Sequence, residues 1–157
     1  MKKTNAMRIL DSNKIDYKVR EYKYDDESFS GEYVANMLGE DPASVFKTLV
    51  TESGDGNIFV FLVSVKDELD LKKAAAASKV KSLSMLKSKD LLKTCGYLHG
   101  ACSPIGMKNK FKTYIDDIVE GQNLIHISGG KRGYQIELKS SDLIELEDIS
   151  VVDISKN

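Results

Sequence analysis

Several familiar signatures are missing from this 157-residue chain, and each absence excludes a class of function. Net charge is −1, so no global cationic field exists to hold nucleic acid without regard to sequence, and no DNA partner is expected. There are only two cysteines, Cys95 and Cys102, with no Cys-x-x-Cys spacing and no secretory segment before them; they read as thiols of a reducing, cytoplasmic compartment. His99 and His126 are the only histidines, too few and too scattered for a structural zinc site, so no metal and no cofactor is expected. The longest apolar run, 58–63, is far too short to span a bilayer. Repeats and low-complexity linkers are absent as well, and the length suits one domain over 1–157.

What the chain does have is 41% hydrophobic and 30% charged residues, the balance of a globular protein with a core of useful size. Ala6, Ile9 and Leu10 recur at helical spacing up to Lys14, and residues 15–24 alternate like a half-buried strand. After the acidic break Asp25-Asp26-Glu27-Ser28, a helix is expected from Ser30 to the stop at Gly39. Segments 44–51 and 57–65 read as a hairpin around Ser53-Gly54-Asp55-Gly56-Asn57. Helices are expected over Leu71–Ala77 and Ser88–Thr94, and strands over 123–128 and 133–138. Ser141-Asp142 is expected to open a final helix, with Glu145 in capping-box spacing, before a last strand. Strands outnumber the possible crossover helices, which predicts a mixed α+β domain with helices around a mixed sheet rather than a doubly wound parallel sheet.

Three stretches carry the chemistry. Lys47 sits in the apolar strand Val45-Phe46-Lys47-Thr48-Leu49. If it faces a pocket it is a cation suited to a carbonyl, an alkoxide or a phosphate; if it alternates outward it is a solvated surface charge. The stretch from Gly96 to Gly106 contains Gly100 and the Ser103-Pro104 corner, a rigid backbone able to present N–H groups or simply to turn. Ser103 has no triad partner placed beside it by sequence, so a serine nucleophile is not expected. Ser128-Gly129-Gly130-Lys131-Arg132-Gly133 lacks the spacing of a nucleotide P-loop but suits a single phosphate or an RNA end.

In this order and spacing the residues resemble the YbaK/EbsC family, aminoacyl-tRNA deacylases related to the editing insert of bacterial prolyl-tRNA synthetase. The likeness covers nearly the whole chain and includes Phe46-Lys47-Thr48-Leu49, Leu69-Asp70-Leu71-Lys72-Lys73, Gly96-Tyr97-Leu98, Ser103-Pro104-Ile105-Gly106 and Ser128-Gly129-Gly130-Lys131-Arg132-Gly133. The resemblance implies a barrel-like mixed sheet and a cytoplasmic, free-standing enzyme that removes cysteine mischarged onto tRNA(Pro), acting alongside prolyl-tRNA synthetase. It implies Lys47 as the essential lysine, with Tyr22, Thr48, Tyr97, Gly100 and Ser128 at the pocket. Ser103, Pro104 and Gly129 are expected beside the substrate, and Gly130, Lys131 and Arg132 beside RNA phosphate. Two departures stand out: Gln135 replaces an aspartate of well-known members, and Cys102 replaces an aliphatic residue and reads as a small core side chain. The competing readings are removal of alanine from tRNA(Pro), or a non-catalytic module that binds tRNA ends or the synthetase.

Overall fold

The computed structural model describes residues 2–23 and 31–156. Helix α1 (Asn5–Ser12) begins at Thr4, whose hydroxyl accepts the Met7 N–H, and buries Ala6, Met7 and Leu10. Strand β1 (Tyr17–Glu21) follows, shorter than the alternation suggests. Helix α2 is described over Gly31–Met37; the expected start at Ser30 and the acidic break before it lie outside the described residues. A 3-10 turn at Pro42–Ser44, capped by Asp41, leads into β2 (Phe46–Ser53) and β3 (Ile58–Ser64), the expected hairpin.

Beyond the hairpin come α3 (Leu71–Ser78), β4 (Leu83–Met85), α4 (Ser88–Cys95) and β5 (Lys112–Asp116). Asp70 caps α3 by accepting the Lys72 and Lys73 N–H groups, and Gly96 ends α4 in a left-handed conformation. A second 3-10 turn, Asp117–Gly121, precedes β6 (Leu124–Ser128), β7 (Tyr134–Lys139), α5 (Ser140–Leu146) and β8 (Ser150–Val152). The final helix starts earlier than expected, and no side chain caps it: Asp142 lies in its first turn, where its charge favours the helix dipole instead.

The strands form two sheets, ordered β1-β7-β6 and β4-β2-β3-β5-β8. The first is antiparallel throughout; in the second, β3–β5 and β5–β8 are parallel and β2 pairs antiparallel with both neighbours, so the expected mixed sheet is present. The sheets do not close into the expected barrel. They meet at a parallel bridge between Val45 and His126, after which β2 runs on with β3 and β4, and β6 with β7.

The main core fills the space between the sheets with Phe46, Val50, Val60, Leu62, Ile115, Ile125, Ile127, Ile136 and Leu138, closed by Met7, Leu10, Leu91 and Leu143 from the helices. A smaller cluster of Phe61, Val63, Leu69, Ala74, Leu83, Tyr114 and Ile154 lies under α3. Residues 60–63 alternate between the two clusters, which is why this central strand reads as an uninterrupted apolar run. Asp116 ties the chain end to this sheet: its Oδ1 accepts the Ile154 and Ser155 N–H groups and its Oδ2 accepts that of Ile118. Asp116 is 1% exposed, so Asp116→Ala leaves one buried and two half-buried donors without it. The expected loss is about 2–4 kcal/mol in urea unfolding, with the amides of β8 exchanging ahead of those of β3.

Candidate active site

Where the sheets part company, a cleft of about 500 Å³ opens between β2 and the β6–β7 hairpin, a size that suits a small organic group rather than a folded partner. Its walls include Lys47 and Thr48 from β2, Ser128 from β6, Gln135 from β7, Tyr22 just after β1, and His99, Gly100 and Cys102 from the loop after α4. Val34, Phe46, Leu86, Leu91 and Ile127 give it an apolar lining.

Lys47 faces this cleft. Its half-buried side chain places the ammonium against the Asp67 carbonyl, with Nζ donating at 2.8 Å. An ammonium has three N–H donors and this contact uses one, so the charge is held in place at the wall with donor capacity to spare. Two further cleft residues carry buried oxygens with no protein hydrogen-bond partner among the described residues, Thr48 Oγ1 and Gln135 Oε1. A buried polar atom left so is a place where a polar ligand group gains a bond at little cost.

The glycine loop is locked to the β6–β7 turn. Ser128 Oγ donates to the Ala101 carbonyl at 2.9 Å, and Arg132 donates from Nε and Nη2 to the His99 carbonyl at 2.8 and 2.6 Å. Gly100 has φ +87° and a Cβ there would stand 3.2 Å from Arg132 Nε, so both conformation and space call for glycine. Gly129 is tight for a different reason, since a Cβ would meet Tyr134 Cβ at 2.9 Å. Thr4 fastens the same turn from below, its hydroxyl donating to the Gly129 carbonyl at 2.7 Å.

Of the expected site residues, the structure brings Tyr22, Lys47, Thr48, Gly100 and Ser128 to the cleft, and leaves Tyr97, Ser103, Pro104 and Gly129 out of its lining. Tyr97 is buried and donates its hydroxyl to the Ile105 carbonyl; burial pushes its phenol up to about 12. Ser103 Oγ is likewise occupied, accepting the Ile105 N–H, and Pro104 is buried beside it: this corner braces the loop. Gly130 packs against Tyr97. Lys131 sits over the Tyr134 ring at 5.6 Å, and with Lys23 and Arg132 it edges a shallow depression that shares Tyr22 and Tyr134 with the cleft. Cys102 packs against the main core, as expected from sequence, and also forms part of the cleft wall.

A buried charge network behind the cleft escaped the sequence reading. His126 Nε2 lies 2.9 Å from Glu137 Oε2 and 3.4 Å from Glu40 Oε2, while Arg20 reaches Glu137 at 3.0 Å and Glu40 at 3.6 Å. Gln135 Nε2 donates to Glu40 Oε1 at 2.9 Å, which connects the network to the cleft wall. Ser44, His126 and Glu137 have the order of a hydrolytic triad, but Ser44 Oγ gives its proton to the Asp41 carbonyl at 2.8 Å and so accepts from His126 Nδ1 at 3.2 Å. His126 and Arg20 therefore both face the Glu40 and Glu137 carboxyl groups. The missed signal was register: once 123–128 and 133–138 are joined as a hairpin through the glycine turn, His126 stands opposite Glu137.

The chain matches the aminoacyl-tRNA editing domain family over residues 27–146. It belongs to that family. Among its relatives is EbsC of Enterococcus faecalis, named for a Cys-tRNA(Pro)/Cys-tRNA(Cys) deacylase activity, 44% identical over 144 residues that cover 92% of this chain and 88% of EbsC. Two solved structures share the fold. One, described as a trans-editing enzyme for prolyl tRNA synthetase, superposes with a TM-score of 0.85 at 22% identity over 99% of this chain and 100% of its own. The other, the hypothetical protein APE2540, gives 0.88 at 14% identity over 98% and 100%. For an editing domain of this family the cleft is the one described pocket that combines an anchored cation with a glycine-turned wall.

The network makes a pH prediction. Burial alone would raise the Glu137 carboxyl, but the hydrogen bond and charge of His126, with Arg20 nearby, outweigh it and hold the group below its ordinary 4.5. A folded value below the unfolded one stabilises the fold above about that pH and is lost as pH falls through the depressed value. Glu137→Gln is expected to cost about 1–3 kcal/mol at neutral pH and to flatten the fall in urea midpoint below pH 4.5. Parallel acid limbs for the variant and the native chain would contradict this.

Proposed function

We propose that the protein is a trans-editing aminoacyl-tRNA deacylase that removes cysteine mischarged onto tRNA(Pro). The observation that carries the reading is Lys47, its ammonium fixed by the Asp67 carbonyl, in the lining of a cleft that also includes a braced glycine loop. The 44% identity to a protein named as a Cys-tRNA deacylase supports the substrate.

The chemical need is clear from the discrimination problem. A synthetase pocket for proline rejects a compact side chain of similar size poorly, because one methylene is worth only about 1–3 kcal/mol. A second site must therefore test a different property, and cysteine offers a nucleophile of its own. The cleft's own candidates are poorly placed for attack on the ester: Ser128 donates to Ala101, Ser103 and Ser44 do not line it, and contact with Cys95 and burial push the Cys102 thiol up, away from the thiolate form. The substrate thiol, as thiolate, attacks its own ester carbon; the C–O bond to the terminal ribose breaks, the ribose hydroxyl is released, and a four-membered thiolactone leaves to hydrolyse in water. Lys47 stabilises the charge that gathers on the carbonyl oxygen, and the walls hold the short side chain folded toward the ester.

Thr48 and Gln135 add polar side chains to the wall that receives the aminoacyl ribose. The depression edged by Lys23, Lys131 and Arg132 receives the last phosphates of the acceptor end. Arg132 spends part of its guanidinium on His99, so its first role is to brace the loop. With a net charge of −1, affinity for bare tRNA is weak, which is the physical ground for delivery by prolyl-tRNA synthetase.

Deacylation of tRNA(Pro) charged with cysteine, serine or alanine decides among mechanisms. Cysteine is expected to leave fastest and serine, of similar size but a poor nucleophile, far more slowly; equal rates for the two would replace self-attack with an enzyme-held water. Preferred release of alanine would move the substrate to the small apolar class. Lys47→Ala is expected to lower turnover by about a hundredfold or more with an unchanged circular dichroism spectrum, and normal turnover in that variant would remove the lysine from the mechanism.

A further inference from the structure

The two cysteines, seven positions apart in sequence, lie together in space. Cys95 is the last residue of α4 and is fully buried; Cys102 is half-buried and lines the cleft; their sulfurs are 3.9 Å apart. Between them the chain doubles back through Gly96 and Gly100, both left-handed, which is what lets residues 95 and 102 meet. A disulfide bond is about 2.05 Å long, so the sulfurs need to approach by about 1.9 Å. In a reducing compartment a pair at this separation stays as thiols and becomes a bond only when an oxidant arrives, the pattern of a transient or sensing disulfide.

We propose that Cys95 and Cys102 form an oxidation site that responds to peroxide by closing a disulfide in the cleft wall, and that the closed form is the inactive one; the second half rests on the deacylase reading above. Peroxide entering by the cleft meets Cys102 first, because Cys95 lies behind it. Contact with Cys95 and burial push the Cys102 thiol up, so the step is slow: Cys102 Sγ loses its proton and attacks one peroxide oxygen, the O–O bond breaks, hydroxide leaves, and a sulfenic acid forms. Cys95 Sγ then attacks that sulfur, the S–O bond breaks, and water leaves with the Cys95 proton. Two thiols are oxidised to one disulfide and hydrogen peroxide is reduced to two waters, the proton first lost by Cys102 joining the hydroxide.

The bond has a local cost and a remote effect. Cys95 loses its contact from Sγ to the Leu91 carbonyl, 3.2 Å in the thiol form. Cys102 is drawn away from the cleft toward α4, and it carries with it Ala101, whose carbonyl accepts from Ser128. The glycine-loop wall of the cleft then moves by the same order as the sulfurs. Catalysis by orientation is sensitive to a displacement of this size.

The test treats the full chain with limiting hydrogen peroxide, alkylates what remains, and maps peptides while the same samples are assayed on cysteinyl-tRNA(Pro). The expected result is an intramolecular Cys95–Cys102 disulfide, deacylation lower by about tenfold or more, and recovery of both thiols and activity with dithiothreitol. Cys95→Ala should deacylate as the native chain does before oxidation and form no disulfide; Cys102→Ala, mapped in parallel, should form none either and guards against misfolding of the first variant. Two alkylatable thiols after peroxide, a cross-link between chains, or an intramolecular disulfide with full activity would each overturn the proposal. If the reduced protein fails to deacylate any charged tRNA, the deacylase reading falls and the gating with it, while the peptide map still decides whether the pair is an oxidation site.

Discussion

The architecture depends on a polar arrangement at the seam formed by the backbone bridge that joins its two sheets among the described residues. His126 belongs to both sides of that seam: its backbone bridges Val45 of the larger sheet, while its ring meets Glu137 of the smaller one. His126 and Glu137 are 7% and 8% exposed, so neither reaches bulk water to recover solvation. Removing one partner strands the other's charge, which is why such a set is costly to break even when its net contribution to stability is small. Arg20 and Glu40 complete the set, with Arg20 and the His126 ring facing two carboxyl groups, and strand β1, helix α2's exit and the β6–β7 hairpin are thereby fixed relative to one another.

From that seam the cleft follows. Sheets that continued to pair past Val45 would fill the space with backbone hydrogen bonds; here they diverge, and the freed faces of β2 and β6 become walls. Gln135 links the two regions, one end of its amide spent on Glu40 and the other at the cleft with a buried oxygen. The walls are stiff because their loops are tied by side chains that reach across: Ser128 to Ala101, Arg132 to His99, Thr4 to Gly129. Stiffness is the property that catalysis by orientation, the mode proposed above, requires.

How far this was legible in the sequence varied with where the information is stored. Local signals worked: the Ser53–Asn57 turn residues marked the β2–β3 hairpin, Gly96 marked the end of α4, and the apolar strand around Lys47 placed that lysine. Strand β5 was hidden because Lys108, Lys110 and Lys112 give its approach the look of a solvated face, although residues 113–116 are buried. Strand β4 is three residues long and carries no period at all. The site residues divided by the same rule. Tyr97, Ser103 and Pro104 belong to the conspicuous loop but point their function inward as braces, whereas Cys102 and Gln135 reach the cleft only through tertiary folding. The Arg20–Glu40–His126–Glu137 set was invisible for a related reason: its members lie on four separate segments, and only strand register brings them together.

Charge distribution closes the argument about selectivity. An editor that held tRNA tightly through its backbone would sequester correctly charged molecules along with mistaken ones, because phosphates look the same on both. This chain has no excess of positive charge, and its few cations at the depression beside the cleft can fix the acceptor end without dominating the affinity. On the reading proposed above, discrimination is left to the acyl group, where a cleft of about 500 Å³ with one anchored ammonium would test whether the side chain can do chemistry on its own ester. In that proposal, weak grip on the RNA and a stiff site for the ester are two parts of one solution: the first would keep correct substrates free, and the second would make the brief encounter with a wrong one sufficient.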